Sequence, residues 1–423
     1  MDSMSADTPP PSPPSMRAAR LLGLFAAAAV GLNLRPAITS VASVLDQLPA
    51  QLGVSDTGIV VLSSLPVAAF GLSAPLVPRL ARRFGVNGAL LLSMGVLALA
   101  LLLRVLVPVL LLPGTLVAGA AIMGGSVLMP QYLKQLQATP RAIGVATTMF
   151  AVGAALGAAL TRQLSDAVSA AVALGVWALL AALACIVLYL ARRAAAHGAV
   201  EDSEAWTGRS STGYGVVPRA PGQRWTTALI VVVFGLQAVL YFFVAGWLPT
   251  VLGEAGTDAG TAANLLAWFS VVGFISTLVT PMLVVRPIML RVTAVVIGVG
   301  IAGGVLWLTV VVPGQAFALV SVLGLLQSGA FGVAMSLLVA KAASPAAAGT
   351  LSALAQGIGF VLAAVGSAVV GSLRLSTGSW DAGLWIMAGL ALVFGAAVIA
   401  VAGRPAIGQR PATRNEPVGS GPR

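Results

Sequence analysis

Arg35 is a charged residue inside an otherwise apolar segment, in the stretch Gly-Leu-Asn-Leu-Arg-Pro-Ala-Ile-Thr-Ser that occupies 31–40. If this segment crosses a membrane, a guanidinium there costs roughly 2.5 to 3.5 kcal/mol on insertion scales, so it should face protein or water rather than lipid. A guanidinium can hold a planar anion with two parallel hydrogen bonds. Arg35 is therefore the leading candidate for binding a substrate, and hydrogen bonding to carbonyls of neighbouring helices is the structural alternative.

The residues around Arg35 predict a bend in its helix. Pro36 lacks a backbone donor and frees the carbonyl of Leu32, which permits a local distortion where a polar cavity could be lined. Thr39 lies one turn from Arg35 on the same face, whereas Asn33 is about 200° round a regular helix from Arg35. All these polar residues can line one cavity only if the helix distorts. We take Asn33 and Thr39 as further substrate-binding candidates.

A second polar group occurs in a later apolar segment. Gln237 and Tyr241 are four residues apart and share a helical face. An amide and an aromatic hydroxyl suit a small, planar, polar ligand, but such side chains equally often bond neighbouring helices. Gln356, in another apolar segment, is a weaker candidate of the same kind.

Basic residues at the ends of apolar segments are candidates for gating or for loop positions. These residues are Arg79, Arg82, Arg83 and Lys134. The Lys134 side chain alternatively extends along the membrane surface, with its ammonium in water.

Two glycines, Gly153 and Gly157, lie one turn apart in the same apolar segment. Small residues at this spacing let another helix approach closely. We expect helix packing at this face and assign it no ligand.

The composition is that of a protein surrounded by lipid. Hydrophobic residues make up 58% of the 423 residues and charged residues 8%, and the mean hydropathy is +1.00. Soluble domains carry far more charge on their surfaces. Apolar segments, each near the roughly 20 residues that a spanning helix needs, recur at 20–44, 57–77, 86–107, 113–134, 141–163, 167–191, 225–251, 260–284, 289–312, 314–340, 347–372 and 380–403.

These segments form two sets of six, which predict an all-α integral membrane protein of twelve transmembrane helices in two six-helix bundles. The predicted units are a disordered cytoplasmic tail at 1–19, an N-terminal bundle at 20–191, a cytoplasmic linker at 192–224, a C-terminal bundle at 225–403 and a basic cytoplasmic tail at 404–423. The pair Pro140 and Gly144 recurs with the same spacing as Pro345 and Gly349. A repeat of this kind predicts bundles that face each other across a central cavity, as alternating access requires.

The positions of the 23 basic residues predict the orientation. With the N-terminus inside, only Arg104, Arg162 and Arg374 fall on the outer side, and Arg35 lies within a span. The remaining basic residues fall on the cytoplasmic side, as the positive-inside rule requires. We therefore expect a multi-pass protein of the inner membrane with both termini in the cytoplasm. The net charge of +11 is explained by this topology, so no nucleic-acid partner is expected.

Deep acidic and imidazole groups are missing from the apolar segments. The acidic residues fall in tails, loops or helix ends, and the only histidine, His197, lies in the linker. The single cysteine, Cys185, has no second thiol with which to form a disulfide or a zinc cluster. No Gly-Lys-Ser/Thr phosphate loop occurs. We therefore expect neither an enzyme nor a metal or other cofactor, and the sequence identifies no coupling ion.

Four stretches resemble the major facilitator superfamily and, within it, the cyanate and 2-nitroimidazole transporter family. They are Asn-Leu-Arg-Pro-Ala-Ile-Thr at 33–39, Gly-Ser-Val-Leu-Met-Pro at 125–130 with Lys134, Gly-Leu-Gln at 235–237 with Tyr241 and 247–249, and 351–359. Three positions depart from the pattern. Ser126 and Ala238 stand where the family has Asn and Ser, and Pro78 stands where the superfamily's loop signature has Asp.

The resemblance implies a secondary carrier for small anions or small nitrogenous compounds, with Arg35 near the substrate path. Three functions remain open: uptake of a small anion such as cyanate, export of a nitroimidazole-like drug or metabolite, and signalling by a membrane receptor that does not transport. A cavity-facing Arg35 favours the first, whereas stacking of a neutral ring on Arg35 or Tyr241 favours the second. The receptor would need a large soluble signalling domain, which the sequence does not contain.

Overall fold

The computed structural model describes residues 14–44, 47–198 and 221–407. The first half contains α1 (Pro14–Asn33), α2 (Pro36–Ser43), α3 (Leu48–Leu52), α4 (Asp56–Ser73), α5 (Val77–Leu106), α6 (Leu111–Gln135), α7 (Pro140–Ala167), α8 (Ala170–Gly175) and α9 (Trp177–Gly198). The second half contains α10 (Pro221–Glu254), α11 (Ala259–Val284), α12 (Pro287–Trp307), α13 (Pro313–Ala340), α14 (Pro345–Thr377) and α15 (Asp381–Ala402).

The helices follow the order of the predicted spans and confirm the all-α membrane fold. Within the described ranges, 11 helical stretches are long and apolar enough to cross a membrane. The first of these joins α1 to α2, and another joins α8 to α9. The predicted span at 57–77 corresponds to α4, whose last residues continue through the 3-10 turn Ala74–Leu76 into α5.

The ends of the predicted units differ from the structure in detail. Helix α1 begins at Pro14, before the predicted boundary at residue 20, and α9 continues to Gly198, into the predicted linker. The rest of the predicted disordered tail, 1–13, lies outside the described residues, as do 199–220 of the linker and 408–423 of the basic tail.

The start of the predicted basic tail packs against the end of α13. The N–H of Ile407 donates to the carbonyl of Lys341 at 2.7 Å, and the ammonium of Lys341 donates to the carbonyl of Arg404 at 2.6 Å. Partial burial lowers the pKa of Lys341. Residues 404–407 are therefore part of the folded structure.

Charge separates the two ends of the helix bundles. Arg79, Lys134, Arg141, Arg286 and Lys341 lie at helix ends on one side, which we call the basic face. The acidic residues at the other helix ends, on what we call the opposite face, are Asp166, Glu254, Asp258 and Asp381. This distribution follows from the charge pattern that predicted a cytoplasmic basic face.

The same helix start occurs in both halves. Thr139 caps α7, and its hydroxyl accepts a hydrogen bond from a first-turn N–H at 3.3 Å before Pro140 and the rest of the helix. Ser344 caps α14 in the same way at 3.2 Å, and Pro345 follows. The proline supplies a suitable backbone angle and has no N–H that needs a partner. The repeat seen in the sequence is thus a repeat of helix starts.

The two bundles contact each other mainly along α7 with α11 and along α14 with α4 and α6. At Gly144 of α7, an added methyl group would overlap the carbonyl of Leu278 on α11. Phe70 of α4 and Phe360 of α14 lie with their ring centroids 5.1 Å apart. These close contacts place side chains of both bundles around a shared interior.

Candidate functional site

The first span is broken at Arg35. Helix α1 ends at Asn33 and α2 begins at Pro36, with the backbone of Arg35 at φ −125° and ψ −33° between them. The N–H of Leu34 bonds the carbonyl of Gly31 at 3.2 Å, which tightens the last turn of α1. The bend predicted from Pro36 is therefore present, and it places a guanidinium where the regular helix stops.

Helix α7 supports the break through its glycine face. A methyl group on Gly153 would overlap the carbonyl of Leu32, the acceptor that Pro36 leaves without a helical donor. A methyl group on Gly157 would lie 2.7 Å from the Cα of Pro36. The predicted packing role of both glycines is confirmed, because only residues without a Cβ allow this approach.

A central cavity lies beside the break, between the two bundles. It is lined by Arg35, Thr147, Phe150, Ala151, Ala154, Gln237, Tyr241, Phe269, Ser270, Thr277, Ser328 and Phe331. Its volume is about 40 Å³. Because one water needs about 10 to 15 Å³ on this measure, the cavity in this conformation suits a solute of only a few atoms.

The guanidinium of Arg35, in the N-terminal bundle, contacts an aromatic ring of the C-terminal bundle. Its Cζ lies 5.3 Å from the centroid of the Tyr241 ring on α10, within the range of a cation–π contact. Gln237 is buried one turn before Tyr241 and lines the same cavity. No carboxylate occurs among the residues that line the cavity. The structure thus brings together three sequence-predicted residues, the cation Arg35 with Gln237 and Tyr241, in a cavity whose lining contains no carboxylate.

Asn33 and Thr39 lie on either side of the break but do not line this cavity. The Asn33 amide donates to the carbonyl of Ala29 at 2.9 Å and to that of Leu180 on α9 at 3.2 Å. The Thr39 hydroxyl donates to the carbonyl of Arg35 at 3.3 Å. The first residue joins two helices of the same bundle, and the second stabilises the start of α2.

Gln356 also lies away from the cavity, in a contact between the bundles. Ser126 of α6 donates from its hydroxyl to Oε1 of Gln356 at 2.5 Å, and Nε2 of Gln356 donates to the Ser126 carbonyl at 3.0 Å. The same Nε2 donates to the hydroxyl of Ser352 at 2.7 Å. All of these groups are buried. The amide of Gln356 thus joins α14 to α6 through two hydrogen bonds and bonds Ser352 within α14 through a third.

The sequence profile of the Major Facilitator Superfamily matches residues 21–368. The chain belongs to this superfamily. The transporter is 29% identical to the cyanate transport protein CynX of Escherichia coli (strain K12) over 359 residues, which cover 83% of this chain and 89% of CynX. It is 26% identical to the 2-nitroimidazole transporter of the same organism over 365 residues, 84% and 88% of the two chains. It is 28% identical to the transporter YycB of Bacillus subtilis (strain 168), over 83% and 86%.

Solved structures show the same fold for this transporter. The proton:xylose symporter XylE, bound to 6-bromo-6-deoxy-D-glucose, matches with a TM-score of 0.68 and 14% identity over 90% of this chain and 95% of XylE. FucP in an outward conformation matches with a TM-score of 0.66 and 13% identity over 91% and 98%. At such identities the likeness concerns the fold alone.

The predicted gating residues of the transporter lie at its basic face. Arg79, Arg82 and Arg83 are exposed in the first turns of α5. Arg79 donates to the carbonyl of Pro75 at 3.3 Å. Arg83 lies over the ring of Phe84, with its Cζ 5.5 Å from the centroid. Lys134 is half-buried and lines a second cavity, apart from Arg35.

Sequence reasoning missed the hydroxyl residues that line the central cavity. Ser270 and Thr277 of α11 are seven residues apart, the spacing of one helical face, and this signal was present in the sequence. Thr147 of α7 donates to the carbonyl of Thr277 at 3.4 Å as well as to its own helix. Ser328 of α13 follows a buried glutamine, and no pattern in the sequence marks it as a residue of the cavity.

Proposed function

We propose that this transporter carries a small anion across the membrane by alternating access, with Arg35 as the residue that binds it. The observation that carries the proposal is the placement of an arginine at the break of the first span, facing a cavity whose lining has no carboxylate. A half-buried cation in that setting favours a mobile anionic partner. The Tyr241 ring holds the cation without neutralising it, so its charge remains available.

Cyanate, or an anion of similar size, is the substrate that we propose first. One relative is named as a cyanate transport protein. A cavity of about 40 Å³ suits a triatomic anion better than a substituted ring. Gln237, one turn from Tyr241, can offer an amide donor to the same ligand.

Export of a nitroimidazole-like compound is the second candidate. Aromatic rings favour it, because Phe150, Tyr241, Phe269 and Phe331 all line the cavity and can stack on a planar heterocycle. Another relative is named as a 2-nitroimidazole transporter. Such a substrate would need the cavity to widen through movement of the two bundles.

Counterflow in proteoliposomes tests the proposal, with cyanate, nitrate, thiocyanate and 2-nitroimidazole as a panel. Arg35→Gln should lower the affinity for the transported anion about 100-fold, because a charge-assisted contact is lost. Arg35→Lys should lower it about tenfold, because an ammonium cannot form two parallel bonds. Tyr241→Phe keeps the ring and should change affinity by less than about twofold.

The Arg35→Gln variant also distinguishes between the two candidate substrates. If 2-nitroimidazole exchanges at the same rate in Arg35→Gln and wild type, while no anion exchanges in wild type, the second candidate replaces the first. Unchanged anion affinity in Arg35→Gln, at normal expression and thermal stability, would leave Arg35 a structural role only.

We further propose uniport or anion exchange rather than transport coupled to a deep carboxylate. Asp166 is exposed at the opposite face, where it pairs with Arg162 at 3.4 Å and accepts from Gln47 at 2.6 Å. Asp46, the other candidate from the sequence, lies outside the described residues. If Asp166→Asn and Asp46→Asn together abolished accumulation driven by a pH gradient, proton coupling through these carboxylates would be established instead.

A further inference from the structure

A second cavity lies at the basic face, between the ends of α6, α7, α11 and α13. Its volume is about 330 Å³, and its lining contains one cationic side chain, Lys134, together with Gln137 and Ser336. The remaining wall is mainly apolar and includes Ile143, Pro281 and Val284. Helices of both bundles form it, so it belongs to the interface that moves during alternating access.

Two polar side chains of this cavity, Ser336 and Lys134, have no bonding partner among the described residues. Ser336 is only 3% exposed, and its hydroxyl forms no hydrogen bond with the described part of the chain. A buried hydroxyl without a partner costs about 1 to 3 kcal/mol, a cost that a hydrogen bond to a bound ligand would offset. Lys134 is half-buried and has no ion pair with any described carboxylate. An ammonium and a hydroxyl donor thus line the same space.

The second cavity and the central one are lined by residues that lie one helical turn apart on α7 and on α11. On α7, Ile143 lines the second cavity and Thr147 lines the central one. On α11, Pro281 lines the second cavity and Thr277 lines the central one. One turn of helix is about 5.4 Å long. The hydrogen bond from Thr147 to the Thr277 carbonyl, at 3.4 Å, lies at the boundary between the two cavities.

The charge around the second cavity is positive. Arg20 reaches its rim and donates to the carbonyl of Gln137 at 2.6 Å. No acidic residue occurs in the lining. A small anion that leaves Arg35 towards the basic face therefore meets Lys134 next, once the boundary between the two cavities opens.

We propose that Lys134 and Ser336 form a second binding site for a small monovalent anion, on the same path as Arg35 and nearer the basic face. This inference rests on the proposed anion transport, but it concerns different residues. The ammonium of Lys134 supplies the charge, and the hydroxyl of Ser336 donates a hydrogen bond. The anion rests there between the central site and the aqueous phase.

Equilibrium binding of radiolabelled thiocyanate to the purified full-length protein in detergent tests the proposal. In an Arg35→Gln background, one class of site should remain. Adding Lys134→Gln should weaken this binding at least about tenfold, because the ionic contact is lost. Ser336→Ala should weaken it about threefold to tenfold without loss of thermal stability, since that hydroxyl bonds no protein group. Lys134→Arg should retain binding.

Arg141→Gln is the matched control, because it removes one exposed positive charge from the same face. It should change binding by less than about twofold, as expected for a screened surface charge. Equal effects of Lys134→Gln and Arg141→Gln would overturn the second site, and so would complete loss of thiocyanate binding in Arg35→Gln alone. Failure of the central site gives a different result: wild-type binding is then unchanged by Arg35→Gln and lost only with Lys134→Gln.

Discussion

Gln356 of α14 and Ser126 of α6 hold the two bundles together through paired hydrogen bonds, at 2.5 and 3.0 Å. Both side chains are buried. If the bundles separate at this point during alternating access, the amide and the hydroxyl lose these partners. Each hydrogen bond of this kind contributes about 0.5 to 1.5 kcal/mol net, because water replaces the partner when the contact opens. The pair should therefore stabilise the conformation described here.

Removing this pair should favour opening towards the basic face. The double variant Ser126→Ala with Gln356→Leu removes both side chains of the pair, and the buried hydroxyl of Ser352 then loses the Gln356 amide as its partner. We expect an impermeant thiol reagent, added at the basic face, to label Ala151→Cys in the central cavity about fivefold to thirtyfold faster, as a shift of about 1 to 2 kcal/mol implies. The background is Cys185→Ala, which removes the single native cysteine.

Thr115→Ala is the control for this experiment. Thr115 is a buried hydroxyl on the same helix, but it donates within α6, to the carbonyl of Leu111 at 2.7 Å. Its loss should leave the labelling rate of Ala151→Cys unchanged. Equal labelling in the double variant and the control would show that the Ser126–Gln356 contact does not restrain the bundles.

The sequence predicts the spans of this protein better than their contacts. Lipid requires about 20 apolar residues per helix, so the order of the helices could be inferred directly. The break at Arg35 could also be inferred, because Pro36 removes a donor. Most of these helices are apolar on all faces, so periodicity does not show which face meets protein.

For that reason the polar candidates could not be sorted by sequence alone. Gln237 and Gln356 look alike as single amides in apolar segments, yet one lines the cavity and the other joins helices. The short side chain of Ser126 bonds Gln356 across the bundles. Which role a buried amide takes depends on the partner that tertiary packing brings to it.

The glycine face of α7 should set the position of Arg35. Gly153→Ala places a methyl group against the carbonyl of Leu32 and should cost about 1 to 3 kcal/mol of stability through overpacking. It should also weaken anion binding, because the break that carries Arg35 must shift. Gly303→Ala on α12 is the control, since a methyl group there meets no atom within 4 Å. Thermal unfolding and counterflow measure both effects, and equal stability of the two variants would contradict this account.

Arg104 is buried, although the sequence placed it among the outer charges. It lies in the last turn of α5 and is only 1% exposed. Its guanidinium donates to the carbonyls of Ala37 at 3.5 Å and Leu174 at 3.4 Å, and its Nε has no partner in the described residues. These bonds are long and compensate poorly for the loss of hydration.

Replacing the charge of Arg104 while keeping most of its volume should therefore not destabilise the protein. Arg104→Met should unfold at the same temperature as wild type or higher, because it removes a buried cation. Arg104→Ala should lose about 2 to 5 kcal/mol, because it leaves a cavity. Thermal unfolding in detergent compares the two. An equal loss in both variants would show that the charge itself holds α2 and α8 in place.

The basic face should lie in the cytoplasm, with both chain termini on that side of the inner membrane. Single cysteines in a Cys185→Ala background test this with an impermeant thiol reagent added to intact cells. Ser376→Cys, exposed at the opposite end of α14, should be labelled, whereas Gln135→Cys, exposed at the basic face, should be protected. Ser5→Cys and Ser210→Cys, outside the described residues, should be protected as well. All protected cysteines should react once the membrane is permeabilised. Labelling of Gln135→Cys in intact cells would reverse the proposed orientation, because charge bias alone supports it.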